Sequence, residues 1–241
     1  MLHKTKGIAL KLTNYSESSV VIQIYTESFG LQSYLVNGAK KPKAKIRANI
    51  FQPLHLLDLI VYHKDNGNLN RISEATQSPP LLHLPYDIVK SSIAIFLNEV
   101  LYKSLKQQQH DGFLFNFIFQ SIRYLDETNH NLANFHLVFL IKLSMFLGFL
   151  PQLRKTVLPY FDLREGTFTS MLPAHSNVLQ PPHTDIFHQL IGATYETAAA
   201  IKISKDDRAV ILDKVLDFYN IHVSNFGEIN SIYILEEVFR A

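Results

Sequence analysis

Five cations, Lys40, Lys41, Lys43, Lys45 and Arg47, fall within eight residues, and no acid interrupts them. Lysine is a compact, strongly hydrated point charge, and a run this dense fits a polyanion gripped by its phosphates rather than read through its bases. Gly38 and Pro42 punctuate the run as a loop. Lys4, Lys6 and Lys11 could add a second row of phosphate contacts. If about five phosphates are neutralised, the logarithm of a single-strand binding constant should fall against log salt with a slope of roughly −3 to −4. The competing reading is a solvated basic loop that serves only solubility or an acidic protein partner.

Other chemistry lacks its parts. The chain has no cysteine, no G-x-S-x-G and no P-loop, so thiolate, acyl-transfer and nucleotide-hydrolysis machinery have no residues to carry them. His175, His183 and His188 invite a metal, and with it a metal-dependent nuclease, but their spacing offers no i, i+4 pair on a helix. Asp206-Asp207 and Glu236-Glu237 lie where helix caps and exposed helix ends usually place acids. The expectation is a protein without a catalytic centre, cofactor or resident metal. Tyr25 and Tyr34 could stack bases, although an aromatic on a strand of a small barrel belongs more often to the core.

The scaffold for the loop is read from periodicity. Strands are expected over Gly7 to Leu12, Val20 to Tyr25, Leu31 to Val36, about Leu54 to Tyr62 and about Leu69 to Ile72, with turns at Thr13 to Ser19 and Asp65 to Asn68. Five short strands in about 75 residues imply a small barrel of the OB type, a frequent platform for single strands. Gln77-Ser78-Pro79-Pro80 marks a linker, giving an expected barrel domain over 1–78 and a helical domain over 79–241. Pro85 is expected to open the first helix, whose inner face holds Val89, Ile93, Phe96, Leu97, Val100 and Leu101. A second helix spans Gly112 to Leu125, and a third, apolar nearly all round, spans Leu132 to Leu147 with Gly148 as its stop. Residues 150–182 hold five prolines and read as an irregular insert. Helical pattern resumes near Thr184 and after Ser204, where Ser204 and Asp207 have capping-box spacing. The class is α+β, a multi-domain chain.

Formal net charge is +2 overall, but residues 1–80 carry ten Lys/Arg against five Asp/Glu and residues 81–241 carry thirteen against sixteen, which makes the first part +5 and the second −3. The polyanion-facing half is therefore the barrel. A membrane surface would ask for a basic amphipathic helix, whereas these charges sit on a loop between strands, so nucleic acid is the better match. The N-terminus lacks the apolar stretch of a signal peptide, and the greasiest run, Leu137 to Leu150, is short and interrupted by Lys142. A soluble cytoplasmic protein is expected.

Several landmarks occur in order: Ala9-Leu10-Lys11, Tyr15-Ser16-Glu17-Ser18, Tyr25-Thr26-Glu27 with Gly30, Gly38-Ala39-Lys40-Lys41, Phe51-Gln52-Pro53-Leu54, and later Phe135 to Gly148 followed by Phe149-Leu150-Pro151. In this series the chain resembles the bacterial recombination mediator RecO family, along essentially its whole length. The resemblance implies an N-terminal OB domain, a C-terminal helical domain and a non-catalytic role in DNA repair. It further implies binding of single- and double-stranded DNA without sequence preference, annealing of complementary strands, and action in the bacterial cytoplasm at the nucleoid. The implied partners are RecR and the C-terminal tail of the single-strand-binding protein, in a pathway that loads RecA. Many members follow the central helix with four zinc-holding cysteines. Here that segment reads Tyr160-Phe161-Asp162-Leu163-Arg164-Glu165-Gly166-Thr167-Phe168, without a thiol, so zinc-dependent properties do not carry over. Packing of Phe161, Leu163 and Phe168 should shape it instead. An acidic tail with an apolar end needs a groove with a cation at its rim, and Arg123 and Lys142, each interrupting an apolar run, are the candidates; either could instead simply snorkel to water.

Overall fold

The computed structural model describes residues 1–63, 69–105, 110–153 and 158–240. Strands β1 (Leu2–Asn14), β2 (Val20–Thr26), β3 (Gly30–Val36), β4 (Leu56–Tyr62) and β5 (Asn70–Gln77) close a barrel in the order β1-β2-β3-β5-β4. Closure comes from antiparallel pairing of β1 with β4, Leu2↔Tyr62 through Ile8↔Leu56, and from a short parallel contact of β3 with β5 at Tyr34↔Asn70 and Leu35↔Arg71. This is an OB-like barrel, as expected. The turn expected at Asp65 to Asn68 lies outside the described residues.

Strand alternation explains the core. Ala9, Val20, Ile22, Ile24, Tyr34, Leu57, Leu59 and Val61 point inward with period 2 and are buried together. Gly7 shares that inner face, and a Cβ there would come within 2.6 Å of Ile24 and 2.7 Å of Leu59, so only glycine fits. The first strand is longer than its apolar run because Lys4 and Lys6 occupy outward positions that alternate with the buried Thr5 and Gly7. A bulge between Ala9 and Lys11 in the β1–β2 register leaves Leu10 as the extra residue, whose carbonyl accepts a hydrogen bond from the Asn98 side chain at 2.9 Å.

The chain divides into two compact units, Met1–Thr128 and Asn129–Ala241. The change from strand to helix lies where the linker marks it, yet the first unit also takes in helices α1 (Ile88–Ser104) and α2 (Gly112–Glu127). These helices cover the outer face of the barrel, where Ile8, Leu10, Tyr25 and Leu56 are buried and Tyr25 meets Phe115 at 6.0 Å between ring centres. Pro85 does not open α1: the helix begins three residues later, and the Asp87 side chain caps it by accepting from the amides of Val89 and Lys90. Asp111 caps α2 in the same way. The linker is strapped down by Asp126, whose carboxylate accepts from the amides of Leu82, His83 and Leu84 at 3.0, 2.8 and 2.6 Å. Burial raises its affinity for a proton, but those three donors outweigh burial and hold the carboxyl below its usual range. Lys90, itself buried, donates to the carbonyls of Asp126 and Thr128 at 2.7 and 2.9 Å and closes the end of α2.

In the second unit the central helix α3 (Phe135–Phe146) is buried around most of its circumference, as its apolar composition predicts. Its end is closed by the amides of Gly148 and Phe149 bonding back to Met145 and Ser144. The insert carries some regular structure: β6 (Tyr160–Asp162), β7 (Thr167–Thr169) and β8 (Val178–Leu179) form a three-stranded sheet in the order β7-β6-β8. Phe161, Leu163 and Phe168 are each 1 % exposed, so packing shapes this segment. Helices α4 (His183–Ile191), α5 (Tyr195–Ala198), α6 (Lys205–His222) and α7 (Ile232–Arg240) complete the unit. Ser204 caps α6 by accepting from the Asp207 amide, and the Tyr219 hydroxyl of α6 donates to the Leu140 carbonyl of α3 at 2.7 Å.

Candidate nucleic-acid interface

The basic loop leaves β3 at Gly38, whose φ of +68° is the left-handed conformation that glycine tolerates without strain. Two successive tight turns follow, with the Lys41 amide donating to Gly38 and the Ala44 amide to Lys41. The Ala48 amide donates to the Ala39 carbonyl at 3.1 Å and brings the ends of the loop together. Ala39 and Ile46 turn inward and join the barrel core, while Lys40, Lys41, Lys43, Lys45 and Arg47 all remain exposed. Two buried apolar pins thus hold the loop from beneath and aim its cations at solvent. The pins are what a run of lysines cannot announce: a lone Ala or Ile in such a stretch has no period to betray it.

Past the loop, a single 3-10 turn over Ala48–Phe51 packs Phe51 inward. His55 Nδ1 donates to the Ile50 carbonyl at 3.0 Å, and burial, partly opposed by that bond, lowers the proton affinity of its ring. Leu54, at φ 60°, accepts a conformation unusual for a branched residue; it is fully buried and its amide donates to Ala9 at 2.8 Å.

Two of the loop cations have partners within the protein. Lys40 Nζ donates to the Ser16 carbonyl at 3.4 Å, and Lys45 Nζ lies 3.2 Å from Glu74 Oε1 in an exposed ion pair. The second row is engaged differently. Lys6 lies opposite Asp58 across the sheet and stands 5.3 Å over the Phe119 ring, while Lys11 stands 4.7 Å over Tyr102 with its ammonium 3.4 Å from the hydroxyl. Lys4 is exposed on the same strand. The bulge at Leu10 is what sets Lys11 opposite the outward Gln23.

The remaining candidates are divided between the two units. Tyr34 is fully buried and Tyr25 1 % exposed, so neither ring can stack a base. Burial pushes the Tyr34 hydroxyl up to about 12, and burial likewise raises that of Tyr25. Arg123 of α2 pairs with Glu127 at 2.9 Å in the first unit. Lys142 belongs to α3 of the second, where the Thr194 hydroxyl chiefly, with the helix amide, His130 and Lys142 assisting, keeps the Glu196 carboxyl below its usual range. His175 meets Asp162 at 3.3 Å, His183 meets Asp207 at 3.0 Å, and His188 packs edge-on to Phe168. No helix among the described residues is long and apolar enough to cross a membrane. Tyr15, an aromatic inside the otherwise polar turn Thr13 to Ser19, is exposed, and Glu74 lies against the loop through Lys45.

Comparison with known proteins covers both parts of the chain. Residues 1–79 match the family described as Recombination protein O N terminal, and residues 85–227 match Recombination protein O C terminal. The DNA repair protein RecO of Azobacteroides pseudotrichonymphae is 38% identical, with 99% of this chain and 100% of that protein aligned. The protein of the same name from Bacteroides fragilis is 37% identical, again over 99% and 100%. That of Flavobacterium psychrophilum is 33% identical over 98% of each.

Proposed function

Because the chain belongs to the recombination protein O family, we propose that it is a non-catalytic DNA repair mediator whose barrel, residues 1–78, holds DNA by its phosphates through the loop from Lys40 to Arg47. The observation that carries this reading is the pinned loop, with five exposed cations on a fixed backbone and apolar anchors beneath. Pre-organisation of this kind lowers the ordering cost of binding. Contacts from lysine to phosphate carry no base information, which suits a protein that must accept any sequence and bring complementary strands together. Lys6 and Lys11 contribute less, because their charges already lie over aromatic rings. Work alongside RecR, engagement of the single-strand-binding protein's tail, help in loading RecA, and a place in the cytoplasm at the nucleoid complete the proposal. For the tail, Arg123 and Lys142 are tested singly, since they belong to different compact units.

One observation favours the other reading, an adaptor for an acidic protein partner: the Lys45 ammonium already donates to a carboxylate, that of Glu74. Fluorescence anisotropy of a labelled mixed-sequence single strand across a salt series separates the two. The native protein should show a log-log slope of roughly −3 to −4, and Lys40→Ala/Lys41→Ala/Lys43→Ala should lose about two units of slope and, near 50 mM salt, on the order of 100-fold in affinity. A native protein that binds no DNA at low salt, or a triple variant that binds as well as native, overturns the proposal in favour of the adaptor.

A further inference from the structure

Tyr15 is 64% exposed in the turn between β1 and β2, and this turn is tied at two points to Lys40 of the basic loop and at a third to Asn37 just before it. The Lys40 amide donates to the Ser18 carbonyl at 3.1 Å, Lys40 Nζ donates to the Ser16 carbonyl at 3.4 Å, and Ser19 Oγ donates to Asn37 Oδ1 at 3.4 Å. Within the turn, the amides of Tyr15 and Ser16 both donate to the Ser19 carbonyl, at 3.1 and 3.2 Å. The backbone that carries the ring is therefore fixed, and fixed to the residue that opens the row of cations. A tyrosine has only two side-chain torsions to order, so its ring offers a large flat surface at small entropic cost.

We propose that Tyr15 is a stacking platform for single-stranded nucleic acid: an unpaired base lies on its ring while the neighbouring phosphates lie on Lys40 and Lys41. The proposal rests on the loop being the DNA site and adds what the lysines cannot supply. Phosphate contacts do not distinguish a single strand from a duplex by its bases, whereas a ring does, because in a duplex the base faces are already covered. Every base has a π face, so the contact stays indifferent to sequence. Glu17, exposed in the same turn, repels phosphate and favours a backbone path on the lysine side. The buried Tyr25 and Tyr34 leave this task to a residue outside the sheet.

The test compares the full-length native protein, Tyr15→Ala, Tyr15→Phe and Lys40→Ala/Lys41→Ala on three labelled probes of equal length: a mixed-sequence single strand, a strand of abasic sugar-phosphate, and a duplex. Tyr15→Ala should lose about 5- to 100-fold on the base-bearing strand alone, with its salt slope and melting temperature unchanged, and Tyr15→Phe should stay within about twofold of native. A 2-aminopurine placed in the strand should be quenched by the native protein and by Tyr15→Phe but not by Tyr15→Ala. Equal binding of the base-bearing strand by native and Tyr15→Ala, or an equal loss on the abasic strand, overturns the proposal. The lysine pair variant should weaken on all three probes with a shallower slope. If it binds as native while Tyr15→Ala still loses its base-bearing strand, the loop reading fails and the stacking contact stands.

Discussion

The loop from Gly38 to Arg47 and the outer wall of β1 both present lysines, but they use them in opposite ways. On the loop, apolar residues turn inward and the charges stand clear of the protein; on the strand, Lys6 and Lys11 lie over Phe119 and Tyr102 of the packed helices. A cation over an aromatic ring contributes to stability while still partly hydrated, and it gives up that contact if it moves to a phosphate. Counting charges along the sequence therefore overstates the second row. What decides whether a lysine is available is the residue it already touches.

The contrast is sharpest where the loop is weakened without touching a charge. Ile46→Ala removes one pin, and with the side chain 9% exposed in the barrel core, denaturant unfolding should show a loss of about 2–4 kcal/mol. DNA affinity should fall as well although all five cations remain, so unchanged affinity would mean that the loop does not need its anchors. Next in size, Lys6→Ala/Lys11→Ala should cost about 1–2 kcal/mol of stability yet shift the salt slope by less than about one unit. A slope change as large as that of the loop triple variant would erase the distinction between the two regions. Smaller again, Glu74→Gln releases Lys45 from an exposed ion pair and should tighten DNA binding about two- to fivefold at low salt, with the gain vanishing at high salt.

The smallest effect concerns His55 beneath the loop. Its ring is less basic in the folded protein than in the unfolded chain because burial disfavours the charged form. The unfolded state thus takes up its proton first, so the contribution is whole above the ordinary value of 6.5 and is lost as pH falls from there through the depressed folded value. Thermal melting followed from pH 7.5 down to 5 should decline less steeply in His55→Gln than in the native protein. Lys6→Ala/Lys11→Ala leaves the bond between His55 and the Ile50 carbonyl in place, so it should leave that decline unaltered.

The barrel was legible in the sequence because short runs rich in Ile and Val, with polar interruptions and turn residues between them, mark its strands, and the basic loop was legible because a cluster of like charges needs no partner to be seen. Other features were hidden for definite reasons. The Leu10 bulge leaves no compositional trace, so the facing of Lys11 could not be read. Strands of two or three residues, as in β6 to β8, are too short to display a period. Asp87 rather than Pro85 starts α1, because a carboxylate that accepts two amides fixes a helix start more firmly than a residue that merely tolerates it. Tyr25 and Tyr34 lie on opposite faces of the sheet, yet both are buried: one faces the barrel interior and the other the covering helices. Only three-dimensional packing shows that both faces are closed.

The strap formed by Asp126 bears on how this protein can be cut apart. A break after the linker prolines would strip the outer face of the barrel of α1 and α2, leaving Ile8, Leu10, Tyr25 and Leu56 in water, because the amides of Leu82, His83 and Leu84 would stay with the Asp126 carboxylate and leave with the helices. Such a fragment would carry the whole basic loop and still be prone to aggregate. The smallest excisable piece runs through Thr128, and a shuffled or truncated gene that ends the barrel at its last strand would inherit the charges without the means to keep them dispersed in solution.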